Sequence, residues 1–529
     1  MTREIRARGS DAGVVRGDLP GGGAREEALD GVPSAEPAGV TVAGLTAGDV
    51  TAGDVTAAGA TASGRAAADA ATASTGTAST GGTSAGTGST GTAGTGAVGG
   101  GRAPVAWRFA GVDARTAVAL VAAVVGVFAA WRALRPAWQV PLPTPATRPE
   151  ERMQDFRDAL YFPIREFLAG GNPYDPATMF AHWPVRQSFN LYQPYHLLLH
   201  LPFALPGYRL GAVAFAAVSL LLLVFLAVLA AGHVRAPLVL GTAVVGALLV
   251  VSQVGKAQLY VGQVNPLVAV GAAGALLARR DHPRWAAVAL ALAWLKPQFG
   301  LPLAVLLFAR GSRGVAVGGT ALAALASLVV VVPLVAGGGG VGAFLDAVAA
   351  NLRHAGTTPY GAVDSVVSQR VDVAAVFFRV TGWLPPGVEL LAPLAVVATS
   401  AVQARRLDRT GEVAVADLLT CLAVVVAVVH QPGDVLIAVP ALALVVVAWW
   451  RGRSGWRARS GWRSRRVLLG VAVVAALVPF AHLHFVDAAI RAALGARAGV
   501  TADGIALVVA WVALALFARG RKPLAAGPS

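Results

Sequence analysis

The chain is 529 residues long, 56% hydrophobic and only 13% charged, a balance too apolar for a soluble enzyme of this size and typical of a polytopic membrane protein. Its 43 Lys+Arg against 28 Asp+Glu leave a formal charge of +15. Membrane sidedness absorbs most of that excess, so nucleic acid is not invoked as a partner. The lone Cys421 excludes an intramolecular disulfide and a Cys-rich metal cluster and reads as a small apolar residue in a buried helix.

Residues 1–105 contain no aromatic residue and are built of Ala, Gly, Thr and Ser, with Thr-Ala-Gly-Asp-Val occurring twice in succession from Thr46 to Val55. Nothing there can bury a core, which predicts a disordered tail. The first long apolar run starts only near Thr116, which predicts a retained signal anchor rather than a cleaved signal peptide.

From there apolar segments recur at 116–134, 210–231, 236–253, 264–278, 285–309, 315–336, 388–404, 414–429, 434–450, 467–483 and 504–518. Several are shorter than a full span, so tilted or broken helices are predicted. Basic loops follow many of them: 279–284, 310–313, 405–409, the seven arginines from Arg451 to Arg466, and 519–522. The positive-inside bias assigns these loops to the cytoplasm. Segment 285–309 is flanked by basic loops at both ends, yet one helix cannot start and finish on the same face. Lys296-Pro297 supplies a break, because proline removes a backbone donor and disfavours helix in the preceding residue. Two short arms, 285–296 and 298–309, then form a hairpin. The alternation closes at about 11–12 crossings, with both termini cytoplasmic. The chain divides into a cytoplasmic tail at 1–105, an all-α polytopic membrane domain at 106–522 and a short cytoplasmic tail at 523–529.

This topology puts the long segments 135–207 and 337–387 on the trans side, together with Gly262-Gln263-Val264-Asn265, Lys296-Pro297-Gln298, His430 to Asp434 and His482-Leu483-His484. No Asp, Glu, Lys or Arg falls in the middle of a predicted span, as a proton-coupled carrier would require. A site, if present, faces outward at the membrane edge.

The first trans segment contains Asp155-Phe156-Arg157-Asp158, then Gly170-Gly171-Asn172-Pro173-Tyr174-Asp175, then Tyr192-Gln193-Pro194. With Gly262-Gln263-Val264-Asn265, Leu295-Lys296-Pro297-Gln298 and the His430/Asp434 pair following in order, the chain resembles glycosyltransferase family 87 over about residues 116–450. The resemblance implies a GT-C fold and a polyprenyl-phosphate sugar donor, with no cofactor and no metal. It departs from the family at Gln369-Arg370-Val371-Asp372, where many members show Asn-Gln-Ser, so the acceptor side of the site is expected to differ.

Moving a sugar from a lipid phosphate to a hydroxyl needs a base for the hydroxyl proton, and a carboxylate near the membrane edge can be tuned for that task. Asp155 is the candidate. Asp158, three residues on and on the same face if the stretch is helical, either shares its proton or orients the acceptor. The anionic leaving group needs cations. Lysine occurs only at 256, 296 and 522, and Lys256 and Lys296 sit at trans helix ends, against the positive-inside bias, which makes them phosphate ligands beside His354 and Arg370. Gln263 and Asn265 read as helix caps or as partners of sugar hydroxyls. Gln298, Tyr192, His430 and Asp434 complete the sugar and acceptor side, and Asp434 is also placed to cap the next helix. His482 and His484 have metal-like spacing only in a strand, and on a helix end they point apart.

The expected activity is transfer of one sugar, mannose in preference to arabinose, to an envelope glycolipid or polysaccharide outside the plasma membrane. The donor, the acceptor and membrane lipids are its partners. A ligase moving a whole lipid-linked glycan is the nearest alternative. A transporter or flippase would need internal symmetry or a polar path through the midplane, and neither is evident.

Overall fold

The computed structural model describes residues 113–144, 147, 149–365, 368–455 and 462–520, and every element among them is helical. The tails expected at 1–105 and 523–529 lie outside the described residues.

Asp113 caps the first helix, α1 (Ala114–Gln139), by accepting from the Thr116 amide at 2.7 Å. The segment that follows does not cross as a long helix. It folds into a π-helical turn, Phe156–Tyr161, continued by α2 (Phe162–Leu168), and then into three short helices, α3 (Pro176–His182), α4 (His196–Leu199) and α5 (Leu201–Ala204). The Gly170-Gly171-Asn172 motif has a structural reason. Gly170 adopts φ +87° and a Cβ on Gly171 would strike the Glu166 carboxylate, while Asn172 Oδ1 accepts from the Tyr174 amide at 3.0 Å.

The long apolar helices come next. α6 (Tyr208–His233) leads to α7 (Leu238–Val251), which bends by 65° at Ser252 into α8 (Gln253–Val261). α9 (Asn265–Ala278), α10 (Pro283–Ala293) and α11 (Pro297–Ala309) are short and apolar. Lys296 sits in an extended conformation ahead of Pro297, so the hairpin break falls where the sequence places it. α12 (Arg313–Gly337) ends in a glycine run before α13 (Gly340–Thr357), which is followed by α14 (Val373–Thr381), α15 (Val388–Arg409) and α16 (Val413–Ala427). A 3-10 turn, Pro432–Ala438, opens α17 (Val439–Gly455), and α18 (Trp462–Ala481), α19 (His484–Leu494) and α20 (Ala496–Arg519) close the chain.

Among the described residues seven helices are long and apolar enough to cross a membrane, or eight if the bent pair α7–α8 is one span; α9, α10, α11 and α16 are shorter. The expected 11–12 crossings counted those short segments as spans, whereas length and composition support seven to eight. Apart from Asp417 and Thr420 near its start, α16 is apolar on all sides, and every residue from Val415 to Ala427 is buried, which makes it the centre of the bundle.

A buried ionic clasp ties the basic helix ends to α16. Arg310 donates to Asp408 Oδ2 at 2.7 Å, to Asp417 Oδ1 at 2.7 Å and to Thr420 Oγ1 at 2.9 Å, while Arg279 pairs with Asp417 at 2.9 Å.

Candidate functional site

The site forms at four helix junctions. Asp155 starts the π-helical turn, Gln263 and Asn265 lie between α8 and α9, Lys296 lies between α10 and α11, and His430 and Asp434 lie between α16 and α17. Gly262 allows the first two to meet. It ends α8 in the left-handed conformation, φ +74°, and a Cβ there would lie 2.7 Å from Phe156 Cβ. The Met153 amide fixes the approach by donating to Tyr260 O at 2.9 Å.

Asn265 is the hub. Its Nδ2 donates to Asp434 Oδ1 at 2.6 Å, to Gln258 Oε1 at 3.0 Å and to Gln263 Oε1. The capping reading of these amides is therefore corrected. Val264 occupies the N-cap of α9 with no side-chain cap, and both amides are turned toward buried carboxylates instead. Asp434 does cap its turn, its Oδ2 accepting from the Gln431 amide at 3.0 Å. His430 is buried, donates from Nδ1 to Val428 O at 3.1 Å and packs edge-on to Phe299 with ring centroids 4.3 Å apart. Burial holds its imidazole below the usual histidine range.

Lys296 is buried, and its Nζ lies over the Tyr192 ring, 5.4 Å from the centroid. The Gln193 amide, donating to Leu295 O at 3.0 Å, holds the two strands of chain together. Burial pushes the Asp155 carboxyl up to about 6; the Lys296 charge opposes that rise, the charge of Asp158 adds to it, the Gln263 amide lowers it and the charge of Asp434 raises it again. A carboxyl poised there is half-buried, mostly ionised at neutral pH and still basic enough to take a proton.

Asp158 is differently employed. Its oxygens accept from Arg157 Nε at 2.7 Å and Nη2 at 3.1 Å, and from the Arg186 and Gln187 amides at 3.1 Å each. No hydrogen bond links it to Asp155, so its burial is compensated by fixed donors and it holds the 186–187 loop against the π-helical turn. Three further candidates do not join the cluster. Lys256 is exposed on α8. His354 Nε2 meets Ser188 Oγ at 3.0 Å, between Phe180 and Phe189. Arg370 is committed to Asp372 through bonds of 2.8 and 3.1 Å and to Gly361 O. Gln298, half-buried in the first turn of α11, is next to the cluster in sequence.

Sequence reasoning missed Gln258, whose Nε2 donates to Val254 O at 2.9 Å and whose Oε1 supports Asn265. The signal was a glutamine on the otherwise apolar buried face of α8, seven residues before Asn265. His482 pairs with Asp503 at 2.9 Å and lies 3.6 Å from Asp487, apart from the site.

The fold and site define a multi-pass helical membrane protein with two carboxylates, amides and a buried lysine gathered at helix junctions. Residues 190–432, a little under half of the chain, match the model of glycosyltransferase family 87, so the chain carries a domain of that family, which implies a glycosyltransferase. The match includes Tyr192, Gln263, Asn265, Lys296 and His430, and it is narrower than the resemblance read over 116–450. Asp155 and Asp158 precede it and Asp434 follows it, so their place in the site rests on geometry. Neither the curated proteins nor the solved structures give a match.

Proposed function

We propose that the protein transfers a single sugar from a polyprenyl-phosphate donor to a hydroxyl of an envelope glycolipid or polysaccharide, on the extracytoplasmic side of a plasma membrane, with both termini inside. The observation that carries this reading is the gathering of Asp155, the Asn265–Asp434 bond and the buried Lys296 over Tyr192 at helix junctions, in a chain that carries a glycosyltransferase domain.

In this reaction the acceptor oxygen attacks the anomeric carbon, a new C–O bond forms there, and the bond from that carbon to the phosphate oxygen breaks. Asp155 takes the acceptor proton. The departing polyprenyl phosphate gains a negative charge, which Lys296 stabilises in a site where water is scarce. A direct displacement inverts the anomeric centre. Gln263, Asn265, Gln298, Tyr192, His430 and Asp434 surround the sugar and the acceptor, and Asp158 positions the loop that closes on them. Lys256, His354 and Arg370 support this reading less than Lys296 does, since one is exposed and two are bonded elsewhere. Mannose is preferred to arabinose.

The test is purified protein incubated with a panel of polyprenyl-phosphate sugars and envelope lipid extracts, read by mass spectrometry. A product heavier by one sugar residue supports the proposal. Transfer of a multi-sugar block, or no transfer from any polyprenyl-phosphate sugar, contradicts it.

A further inference from the structure

α13 has three distinct sides. Toward the protein it presents Phe344, whose ring meets Tyr174 edge-on at 6.4 Å, and the buried Asn351 and Ala355. Asn351 acts like a stretch of backbone: its Oδ1 accepts from the Asn190 amide at 2.9 Å and its Nδ2 donates to Asn190 O at 2.8 Å. His354, one residue from Ala355, bonds Ser188. The helix is therefore fastened to the loop that supplies the Arg186 and Gln187 amides to Asp158 and carries Tyr192 to Lys296.

The second side is apolar and uncovered. Val341, Leu345 and Leu352 are 62%, 58% and 57% exposed, and at 3.6 residues per turn they fall on one stripe. The third side carries the exposed Asp346 and Arg353, seven residues apart and roughly 100° further round. A helix fully surrounded by water would not keep three large aliphatic side chains on one stripe, and a membrane-spanning helix would not keep a charged stripe beside them.

Continuity identifies what covers the apolar side. α12 is long and apolar enough to cross a membrane and exposes Leu325, Leu328, Val329 and Val332. It passes into α13 through Gly338, Gly339 and Gly340, the last two at φ +87° and +92°, a turn that only glycine makes without strain. The exposed apolar surface of the span thus runs across a tight turn onto α13. We propose that α13 lies in the lipid–water interface at the end of α12, with bilayer lipid as the occupant of the Val341–Leu345–Leu352 stripe, and anchors the Tyr192 loop to the membrane surface.

The test uses nitroxide labels on single cysteines at 345, 346, 352 and 353 in a Cys421→Ala background, with the full chain reconstituted in lipid vesicles. All four positions are exposed, so labelling leaves the packed face intact; a symmetrical gel-filtration peak before reconstitution selects folded material. Collision rates are measured with oxygen, which concentrates in lipid, and with a water-soluble nickel chelate. The ratio of oxygen to chelate collisions should be several-fold higher at 345 and 352 than at 346 and 353. Chelate dominance at 345 and 352 would overturn the proposal by showing that the stripe faces water. Protection of those two positions from both reagents would overturn it by showing that protein, not lipid, covers the stripe.

Discussion

Replacing Asp155 by Asn isolates the base. The amide preserves the size of the side chain and can still hydrogen-bond Gln263, but it cannot accept a proton. General-base assistance is worth about 10²–10⁴-fold, or roughly 3–5 kcal/mol of transition-state stabilisation, so Asp155→Asn should lose turnover by that factor while donor binding persists. The environment sets a second, sharper expectation. With its carboxyl near 6, Asp155 is about nine-tenths ionised at pH 7, and kcat/KM should fall about tenfold per pH unit below 6. The neighbours move that limb in opposite directions. Lys296 favours the carboxylate, so its removal raises the Asp155 pKa and shifts the acid limb to higher pH; Asp434 disfavours the carboxylate, so Asp434→Asn shifts the limb to lower pH. The assay is initial transfer rate against pH for wild type and the three variants, with radiolabelled donor binding measured separately. An Asp155→Asn protein that turns over at the wild-type rate with the same acid limb would refute the assignment. If Asp158→Asn were dead while Asp155→Asn remained active, the base would be the second acid.

Lys296→Ala should weaken donor binding as well as turnover, because it removes the cation assigned to the phosphate; unchanged donor affinity in equilibrium binding would count against that role. Arg310→Ala removes the guanidinium that bonds both Asp408 and Asp417 most closely, leaves Arg279 as their remaining buried partner, and should destabilise the protein by up to about 3–5 kcal/mol, seen as a lower aggregation temperature in detergent. With Cys421 removed, a cysteine at Asp281 should label from the cytoplasm and one at Asn172 from outside, and labelling of both from one side would overturn the sidedness. Deleting residues 1–100 should leave transfer by the inserted protein largely unchanged; a collapse of activity in stable, inserted material would assign the tail a role.

The elements were legible where local chemistry decides them. Pro297 disfavours helix at Lys296 and the break falls there, and the cap residues Asp113, Ser252 and Asp372 are ordinary N-cap types. The number of crossings was less legible, because a predominantly apolar segment of 13–15 residues such as α11 or α16 reads as a membrane span whether lipid or protein covers it.

Site residues were identified by type and motif, but their partners depended on folding. Arg370 looked free until Asp372, two residues away, took its guanidinium, and Asp158 is likewise held by Arg157 next to it in the chain. The three-residue spacing of Asp155 and Asp158 implied one helical face, yet a π-helical turn starts at Phe156 and the α-helical spacing rule does not carry through it. The Asn265–Asp434 bond joins residues 169 apart, a pairing that the packing of α9 against the Pro432–Ala438 turn creates and no local pattern announces.

The central claim, that this site moves one sugar with Asp155 as the base, is tested most directly by stoichiometry. In a time course with a polyprenyl-phosphate sugar accepted by the wild type, polyprenyl phosphate released and sugar added to acceptor lipid are quantified together for the wild type and for Asp155→Asn. The account predicts one polyprenyl phosphate released per sugar added in the wild type, and both quantities reduced together about 10²–10⁴-fold in the variant. Release without sugar addition, movement of the intact donor across the membrane without release, or an unaltered rate in Asp155→Asn would contradict it.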